Sequence, residues 1–381
     1  MKHSKRITVG LAAFTAVGAL VLSGCSASEP EADDSAGSSE LTPVTLQLQW
    51  LTQAQFAGYY AAAAEGYYED EGLDVEIIQG GGDIVPQDAL ANGDVDYAIS
   101  WVPKVLGSIE NGANITDVAQ IFERSATLQV SFKDQDITSA ADLGGKTIGS
   151  WGYGNEWELY AGLNKAGVTE DVTVVSQNFD MNALLSGDID AAQAMTYNEY
   201  AQLLETVDPE TGELYTADDF NVIDWNEEGT SMLQDAIWAD TAKLEDEAYA
   251  DQTVAFIKAS IKGWAFARDD AEAAAGIVTA AGSTLGTSHQ LWMTNEVNKL
   301  IWPSTTGGVG TIDEAAWAAT VDMALKTSNE TGATIITEEP PATAYSNEYV
   351  EKALAELTEE GVDVVGSDFA PLSVTLNPAG A

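Results

Sequence analysis

Two periodicities of apolar residues divide this chain of 381 residues. Up to residue 205, short apolar runs typical of buried strands alternate with helical segments, several of which end at a glycine. Such alternation predicts parallel β-sheets covered by helices. After residue 240 only the helical period remains, as in Val254, Ile257, Ile261 and Trp264, so we expect helices there. The predicted strands are 45–50, 74–78, 97–100, 118–122, 128–132, 147–150, 172–176 and 191–195; the predicted helices are 56–66, 85–92, 104–111, 156–165, 181–186, 198–205, 289–301, 312–326 and 346–360; and 208–219 is predicted to be a surface excursion.

A short sequence occurs once in each half of this alternating region. Residues 90–96 read LANGDVD and residues 185–190 read LSGDID. In both, a predicted helix ends at a glycine, which accepts the left-handed conformation, and an acidic turn then leads into an apolar strand. The repetition indicates two similar lobes, and a chain of this length is too long to form a single hydrophobic core. Gly-Asp turns are common in α/β proteins, which is the alternative explanation.

The N-terminus has the three parts of a secretory signal. Lys2, Lys5 and Arg6 precede an apolar run at 7–22, which is too short for a comfortable membrane span. The sequence Leu-Ser-Gly-Cys that ends at Cys25 holds the only cysteine of the chain and resembles the bacterial lipobox. The lipobox implies cleavage before Cys25 and attachment of lipid to its thiol. An ordinary signal peptide and an uncleaved anchor are the alternatives.

The segment after the cysteine is small, acidic and poor in apolar residues, so it is predicted to be a flexible tether. We therefore expect a lipoprotein signal peptide at 1–24, a tether at 25–43 and a folded body beyond it. The mature protein is expected to lie outside the cytoplasm, anchored by lipid to the outer face of the bacterial cell membrane.

Composition excludes several classes of function. The formal net charge is −46, and without residues 1–24 the chain has 12 basic and 61 acidic residues, a charge of −49. Nucleic acid is therefore not an expected partner, and an anionic membrane would repel the body, so attachment must come from the lipid. A single cysteine forms no internal disulfide, and His289 is the only histidine after residue 24. No metal site, cofactor or catalytic constellation is predicted, and His289 is expected to be structural.

Several segments carry a resemblance to a known family. They are 50–60 (WLTQAQFAGYY), 65–75 (EGYYEDEGLDV), the glycines at 80–82 with Asp83, the turn at 92–96, and 141–149 (ADLGGKTIG). This pattern resembles the SsuA/THI5-like (NMT1/THI5) substrate-binding proteins over roughly residues 44–270. The resemblance implies a receptor that captures a small molecule for an ABC importer, with a permease and its ATPase as partners. We expect a monomer.

The resemblance also implies an architecture. The expected fold is α/β, of the periplasmic-binding-protein-like type II, with two α/β lobes joined by two crossing strands and extra C-terminal helices. The crossings are expected at 128–132 and 234–238. Lobe one would then comprise 44–133 and 234–381, and lobe two 134–233, with the ligand in the cleft between them.

Candidate ligand-binding residues follow from the geometry of open α/β sheets, where ligands gather at the carboxyl ends of strands and the amino ends of helices. Asn155 could instead cap the helix that follows it, and Trp50 and Trp101 could belong to the core. Trp264, Trp292 and Trp302, by contrast, lie on helical stripes and are expected in the core. The ligand candidates are Trp50, Gln53, Gln55, Gly81, Asp83, Ser100, Trp101, Trp151, Tyr153, Asn155, Glu156, Asp180, Thr196, Tyr197 and Glu199.

The candidates are aromatic rings, amides and carboxylates, and basic residues are scarce around them. Aromatic faces stack on flat heterocycles, and carboxylates accept from amino groups. We therefore expect a flat nitrogen heterocycle, such as a thiamine pyrimidine precursor or a riboflavin-like molecule. Phe56 departs from the family pattern, since many thiamine-pyrimidine binders have a histidine at that position.

Three other functions stay open at this point. One is a receptor of the same family for a sulfonate, taurine or nitrate. Another is an enzyme on the same scaffold, with Asp83 and Glu199 as acid and base. The third is an adhesin or sensor that works without a transporter.

Overall fold

A computed structural model describes residues 41–82 and 84–381. The predicted signal peptide, Cys25, most of the predicted tether and Asp83 lie outside these residues. The strands are β1 Thr42–Gln47, β2 Leu73–Ile78, β3 Tyr97–Trp101, β4 Ile115–Gln120, β5 Thr127–Phe132, β6 Thr147–Ser150, β7 Thr173–Ser176, β8 Ala192–Met195, β9 Phe220–Asp224 and β10 Asp235–Asp240. The α-helices are α1 Ala57–Ala64, α2 Tyr67–Asp70, α3 Pro86–Ala91, α4 Val102–Glu110, α5 Trp157–Ala166, α6 Asn182–Leu185, α7 Glu199–Leu204, α8 Trp225–Glu228, α9 Glu247–Asp269, α10 Ala271–Ala280, α11 Thr287–Ile301, α12 Glu314–Lys326 and α13 Glu348–Glu359.

The strands form two main groups. The first sheet has the order β2-β1-β3-β10-β4, with β1 parallel to β2 and β3 and with β10 antiparallel to both of its neighbours. In the second group β8, β5 and β9 pair antiparallel, while β6 and β7 pair parallel and join β8 through a bridge from Ile148 to Ala191. The sheets are therefore mixed rather than parallel as expected, because β5 and β10, the first strand reached after each passage between the groups, run antiparallel to their neighbours.

The chain leaves the first sheet through residues 121–126 and returns to it through 225–234. These two connecting segments are tied to each other by side chains. Gln234 accepts a hydrogen bond from the Ala126 N–H (2.8 Å), and Asn226 exchanges two hydrogen bonds with the backbone of Ser125 (2.8 and 3.1 Å). Glu158 of α5 binds both segments, accepting from the Ser125 hydroxyl and from the Met232 N–H.

The repeated Gly-Asp sequence adopts the same structure in both places. Gly93 and Gly187 have φ values of 77° and 75°, which a residue with a side chain rarely adopts. Asp96 then accepts from the Thr45 N–H at 2.9 Å, and Asp190 accepts from the Thr147 N–H at 2.7 Å. Each aspartate thus ties its turn to a strand of its own group, β1 in the first and β6 in the second.

The largest hydrophobic core lies under α9, where its buried stripe packs against α1. The helices approach closely because glycines meet at the crossing: a Cβ on Gly263 would lie 2.0 Å from the Gly58 carbonyl oxygen. Trp264 and Trp302 are buried in this core, as expected. Trp292 is only half-buried, which corrects its assignment to the core, and its indole N–H donates to the Thr196 carbonyl at 3.1 Å.

The remaining differences from the predicted elements are local. The first strand ends at Gln47 rather than at residue 50, so Gln49 and Trp50 lie in the loop that follows. Strand β9 and helices α2, α8 and α10 were not predicted. β9 is short, carries Asn and Asp, and follows a polar segment, so its pattern is weak. Across residues 41–82 and 84–381, helices with the length and apolar character of a membrane span are absent.

Candidate functional site

A cavity of about 700 Å³ opens at the carboxyl ends of β1, β3, β6 and β8. Its walls combine aromatic rings with side-chain amides, and it is large enough for a small organic ligand. The rings belong to Trp50, Trp101, Trp151, Tyr153, Trp157, Phe179 and Tyr197, and the amides to Gln49, Gln53, Gln55, Gln87, Asn155 and Asn198.

Most of the sequence-predicted site residues lie together around this cavity. Asp180 and Thr196 do not line it: Asp180 accepts from the Asn182 N–H at the start of α6, and the Thr196 backbone pairs with Ala126. Asp83 lies outside the described residues. Whether the lining residues bind a ligand stays a prediction. They are Trp50, Gln53, Gln55, Gly81, Ser100, Trp101, Trp151, Tyr153, Asn155, Glu156, Tyr197 and Glu199.

Asp235 does not line the cavity itself, but it binds three side chains that do. Its Oδ1 accepts from Gln49 Nε2 (2.5 Å) and from the Trp101 indole N–H (2.8 Å), and its Oδ2 accepts from Gln55 Nε2 (3.0 Å). Burial raises the pKa of this carboxyl to about 6, and the three hydrogen bonds counteract that rise. One buried side chain at the start of β10 therefore sets the orientation of three lining side chains, two from the segment between β1 and α1 and one from the end of β3.

Charged groups of both signs line the cavity. Burial lowers the pKa of Lys104 to about 8, although the nearby carboxylates of Asp235 and Glu156 favour its charged form. The Lys104 ammonium lies over the Trp101 ring, 4.8 Å from its centroid. Burial also raises the pKa of Glu156, and it raises that of Glu199 to about 7. The site is therefore a desolvated environment in which charge is costly unless it is paired.

Three aromatic rings form a row across the cavity. Phe179 lies between Trp50, at a centroid distance of 4.5 Å, and Trp151, at 6.0 Å with the ring planes 27° apart. Phe179 is 43% exposed, so the row reaches the mouth of the cavity. Tyr153 also lies at the mouth and is 89% exposed, in a left-handed turn with a φ of 54°.

A chain of buried hydrogen bonds leads from the cavity wall into the interior. Glu199 accepts from Asn198 Nδ2 (2.8 Å), and the Asn198 carbonyl oxygen lies 3.1 Å from His289 Nε2. His289 Nδ1 lies 2.9 Å from a carboxylate oxygen of Glu205. His289 is fully enclosed and does not line the cavity, in agreement with the structural role expected from the sequence.

The interpretation of Asn155 as a helix cap is wrong. The residue before α5 is Glu156, whose carboxylate accepts from the Gly154 N–H at 2.8 Å. The Asn155 amide instead donates to the Gly152 carbonyl at 2.7 Å, which closes the turn around Tyr153.

Sequence reasoning missed parts of the wall. Thr334 and Ile335 reach the cavity from a loop far along the chain, with no local pattern that marks them. Gln87, in the first turn of α3, and Lys104, in the first turn of α4, both follow strands of the first sheet. Both could have been found with the rule used for the other candidates, that ligands gather at the carboxyl ends of strands and the amino ends of helices. Within the described ranges, histidine, cysteine and acidic side chains do not gather into a group able to hold a metal ion.

The chain is similar to several bacterial proteins along its length. It is 28% identical over 151 residues to a putative thiamine biosynthesis protein of Haemophilus influenzae, covering 39% of this chain and 48% of that protein. It is 26% identical over 252 residues to the formylaminopyrimidine-binding protein of Halalkalibacterium halodurans, covering 64% and 71% of the two chains. Against the riboflavin-binding protein RibY of Chloroflexus aurantiacus, identity is 30% over 217 residues, covering 53% and 62%. The chain thus spans between about half and about seven tenths of these relatives.

Solved structures confirm the expected periplasmic-binding-protein fold. The periplasmic aliphatic sulphonate binding protein SsuA of Escherichia coli matches with a TM-score of 0.55 and 15% identity, over 88% of this chain and 94% of that one. At this identity the likeness concerns the fold alone. The sequence model of the NMT1/THI5 like family matches residues 53–274, more than half of the chain. This match, together with the fold and the relatives, shows that the chain belongs to the NMT1/THI5-like family.

Proposed function

We propose that this protein is an extracytoplasmic solute-binding lipoprotein of an ABC importer and that it captures a flat nitrogen heterocycle in the cavity. The observation that carries the proposal is the wall itself, in which the row Trp50, Phe179 and Trp151 faces a set of side-chain amides. Aromatic faces bind flat rings, and amides bind the donors and acceptors on their edges. Family membership and the pyrimidine- and riboflavin-binding relatives support the same ligand class.

Calorimetry on the full-length chain tests the ligand class. The panel comprises riboflavin, formylaminopyrimidine, 4-amino-5-hydroxymethyl-2-methylpyrimidine, taurine and nitrate. We expect saturable binding of at least one heterocycle and weaker binding of taurine and nitrate. Binding of taurine or nitrate alone would replace the proposed ligand class with the sulfonate and anion alternative. An absence of saturable binding across the panel at micromolar concentrations would refute the heterocycle proposal.

The aromatic row gives the matching variant. Phe179→Ala removes the middle ring and is expected to weaken heterocycle binding about fivefold, since one aromatic stacking contact contributes about 1 kcal/mol. Leu372→Ala is the control, because Leu372 is similarly exposed at 49% but does not line the cavity. Equal affinities for the two variants would contradict a ligand stacked on this row.

The lipid anchor is tested separately through Cys25. Cys25→Ser is expected to move the protein from the membrane fraction to the soluble fraction, because the thiol that carries the lipid is lost. A Ser26→Ala control should stay with the membrane. Equal fractionation of the two variants would argue for an uncleaved anchor or an ordinary signal peptide.

An enzyme on this scaffold is the second candidate, and Glu199 is the observation that favours it. Its pKa of about 7 suits a group that both gives and takes a proton at neutral pH. Mass spectrometry of a bound heterocycle after prolonged incubation separates the two functions. A receptor returns the molecule unchanged, whereas an enzyme gives a product of different mass that Glu199→Gln abolishes.

A further inference from the structure

We infer that Lys104 selects ligands whose flat ring bears an oxygen acceptor, a carbonyl or a carboxylate, on its edge. The inference rests on the proposed heterocycle-binding function and names the chemistry of the ring. The inference is based on which hydrogen-bond donors and acceptors of the cavity wall lack a partner in the protein.

Lys104 is held in place at the cavity by two neighbours. Its ammonium lies over the face of Trp101, whose own N–H is bound to Asp235. The loop that carries Tyr153 passes against its stem, and a Cβ on Gly154 would lie 3.2 Å from Lys104 Cγ. Among the basic side chains of the described residues, Lys104 is the one that lines the cavity.

The ammonium has three N–H donors and no hydrogen-bond partner within the described part of the chain. The two carboxylates that act on it, Asp235 and Glu156, do so through space rather than through a hydrogen bond. Their oxygens already accept from other groups: three donors bind Asp235, and the Gly154 N–H binds Glu156.

Some acceptors on the wall are occupied, whereas the side-chain oxygens of Gln49, Gln53 and Asn155 have no donor among the described residues. Gln55 Oε1 accepts from Gln53, and Gln87 Oε1 accepts from the Ser100 hydroxyl. Both carboxylate oxygens of Glu199 accept, one from the Met195 N–H and the other from Asn198. The unpaired ammonium of Lys104 is complementary to a ring edge that carries an oxygen acceptor, and a ring edge without one would leave this cation unpaired at a cost in affinity.

Three pteridines that differ in their ring substituents test this selection by calorimetry on the full-length chain. Lumazine carries two carbonyl groups where 2,4-diaminopteridine carries two amino groups, and 6-carboxylumazine adds a carboxylate. We expect lumazine or 6-carboxylumazine to bind at least tenfold more tightly than 2,4-diaminopteridine. The order of the two oxygen-bearing rings shows whether the carbonyl or the carboxylate is the better partner.

Substitutions then assign the preference to its residues. Lys104→Gln is expected to reduce the preference at least tenfold, whereas Lys104→Arg should retain most of it because the cation remains. Lys133→Gln, which removes an exposed lysine outside the cavity, should match wild type. Thermal unfolding of each variant identifies any that fail to fold, and the Arg variant keeps the test valid if the Gln variant does.

The outcomes separate this inference from the proposed function. If 2,4-diaminopteridine binds as well as lumazine, or if Lys104→Gln keeps the preference, Lys104 does not select the ligand and the heterocycle-binding function stands. If wild type binds none of the pteridines and also none of riboflavin and the pyrimidines, the proposed function fails and the inference fails with it.

Discussion

Replacing Asp235 with asparagine should change how the stability of the fold depends on pH. Asp235 is 2% exposed and binds three neutral donors, so its negative charge is held away from water. An asparagine fills the same space without a titrating proton. Its amide also offers a donor where the carboxylate offers only acceptors, so the variant loses hydrogen-bond energy at every pH.

The size of the pH effect follows from the pKa. Burial raises the pKa of Asp235 from an ordinary 3.8 to about 6. Because the folded chain holds the proton more tightly than the unfolded chain, the group adds stability that is fully present below about pH 4 and is lost as the pH rises through about 6. A difference of about two pH units corresponds to about 3 kcal/mol, of which about 2 kcal/mol falls between pH 8 and pH 4. The constant cost of the amide cancels when the two pH values are compared.

Urea unfolding of both proteins, followed by tryptophan fluorescence at pH 8 and pH 4, measures this difference. Relative to Asp235→Asn, wild type should gain about 2 kcal/mol on acidification. Other titrating groups, including buried Glu158 and Glu199, are common to both proteins and cancel. Asp240→Asn is the control, since it removes the same charge from the partly exposed end of β10. The reasoning would be refuted if the difference in unfolding free energy between wild type and Asp235→Asn were equal at the two pH values, or if it grew on alkalinisation.

Two further predictions concern packing and a buried polar pair. Gly162→Ala should destabilise the fold by about 2 kcal/mol, because its Cβ would lie 2.4 Å from the buried Trp225 ring. Gly276→Ala should stabilise the fold by about 1 kcal/mol, because open space surrounds this position in α10. Equal melting temperatures for the two variants would contradict both expectations. Glu205→Ala should lower the free energy of unfolding in urea by about 2 kcal/mol, because it leaves His289 Nδ1 buried without its partner. The control Glu213→Ala, at an exposed position, should change it little. A loss below about 0.5 kcal/mol for Glu205→Ala would show that water replaces the carboxylate.

Local sequence predicts the parts of this molecule that depend on local chemistry. The glycine at the end of each helix and the strand that follows were predicted in both halves, because φ preference and apolar patterning act over a few residues. Candidates were likewise chosen from the loops that follow strands, and most of them line one cavity. Asp235 could not be predicted as their support, because its partners Gln49 and Gln55 lie about 180 residues away in the sequence and meet it only through the insertion of β10 between β3 and β4. Thr334 and Ile335 were not predicted for the same reason, since only tertiary packing brings them to the cavity wall.

The ties between the two connecting segments constrain how the cavity can open. Gln234, Asn226 and Glu158 bind the outgoing and returning passages of chain to each other, so one passage cannot twist while the other stays still. We therefore expect the two segments to move together as one hinge, so that the two groups of strands rotate relative to each other about a single axis. A pair of spin labels, one on each sheet, should then report a single distance coordinate that shifts on capture, with no sideways sliding.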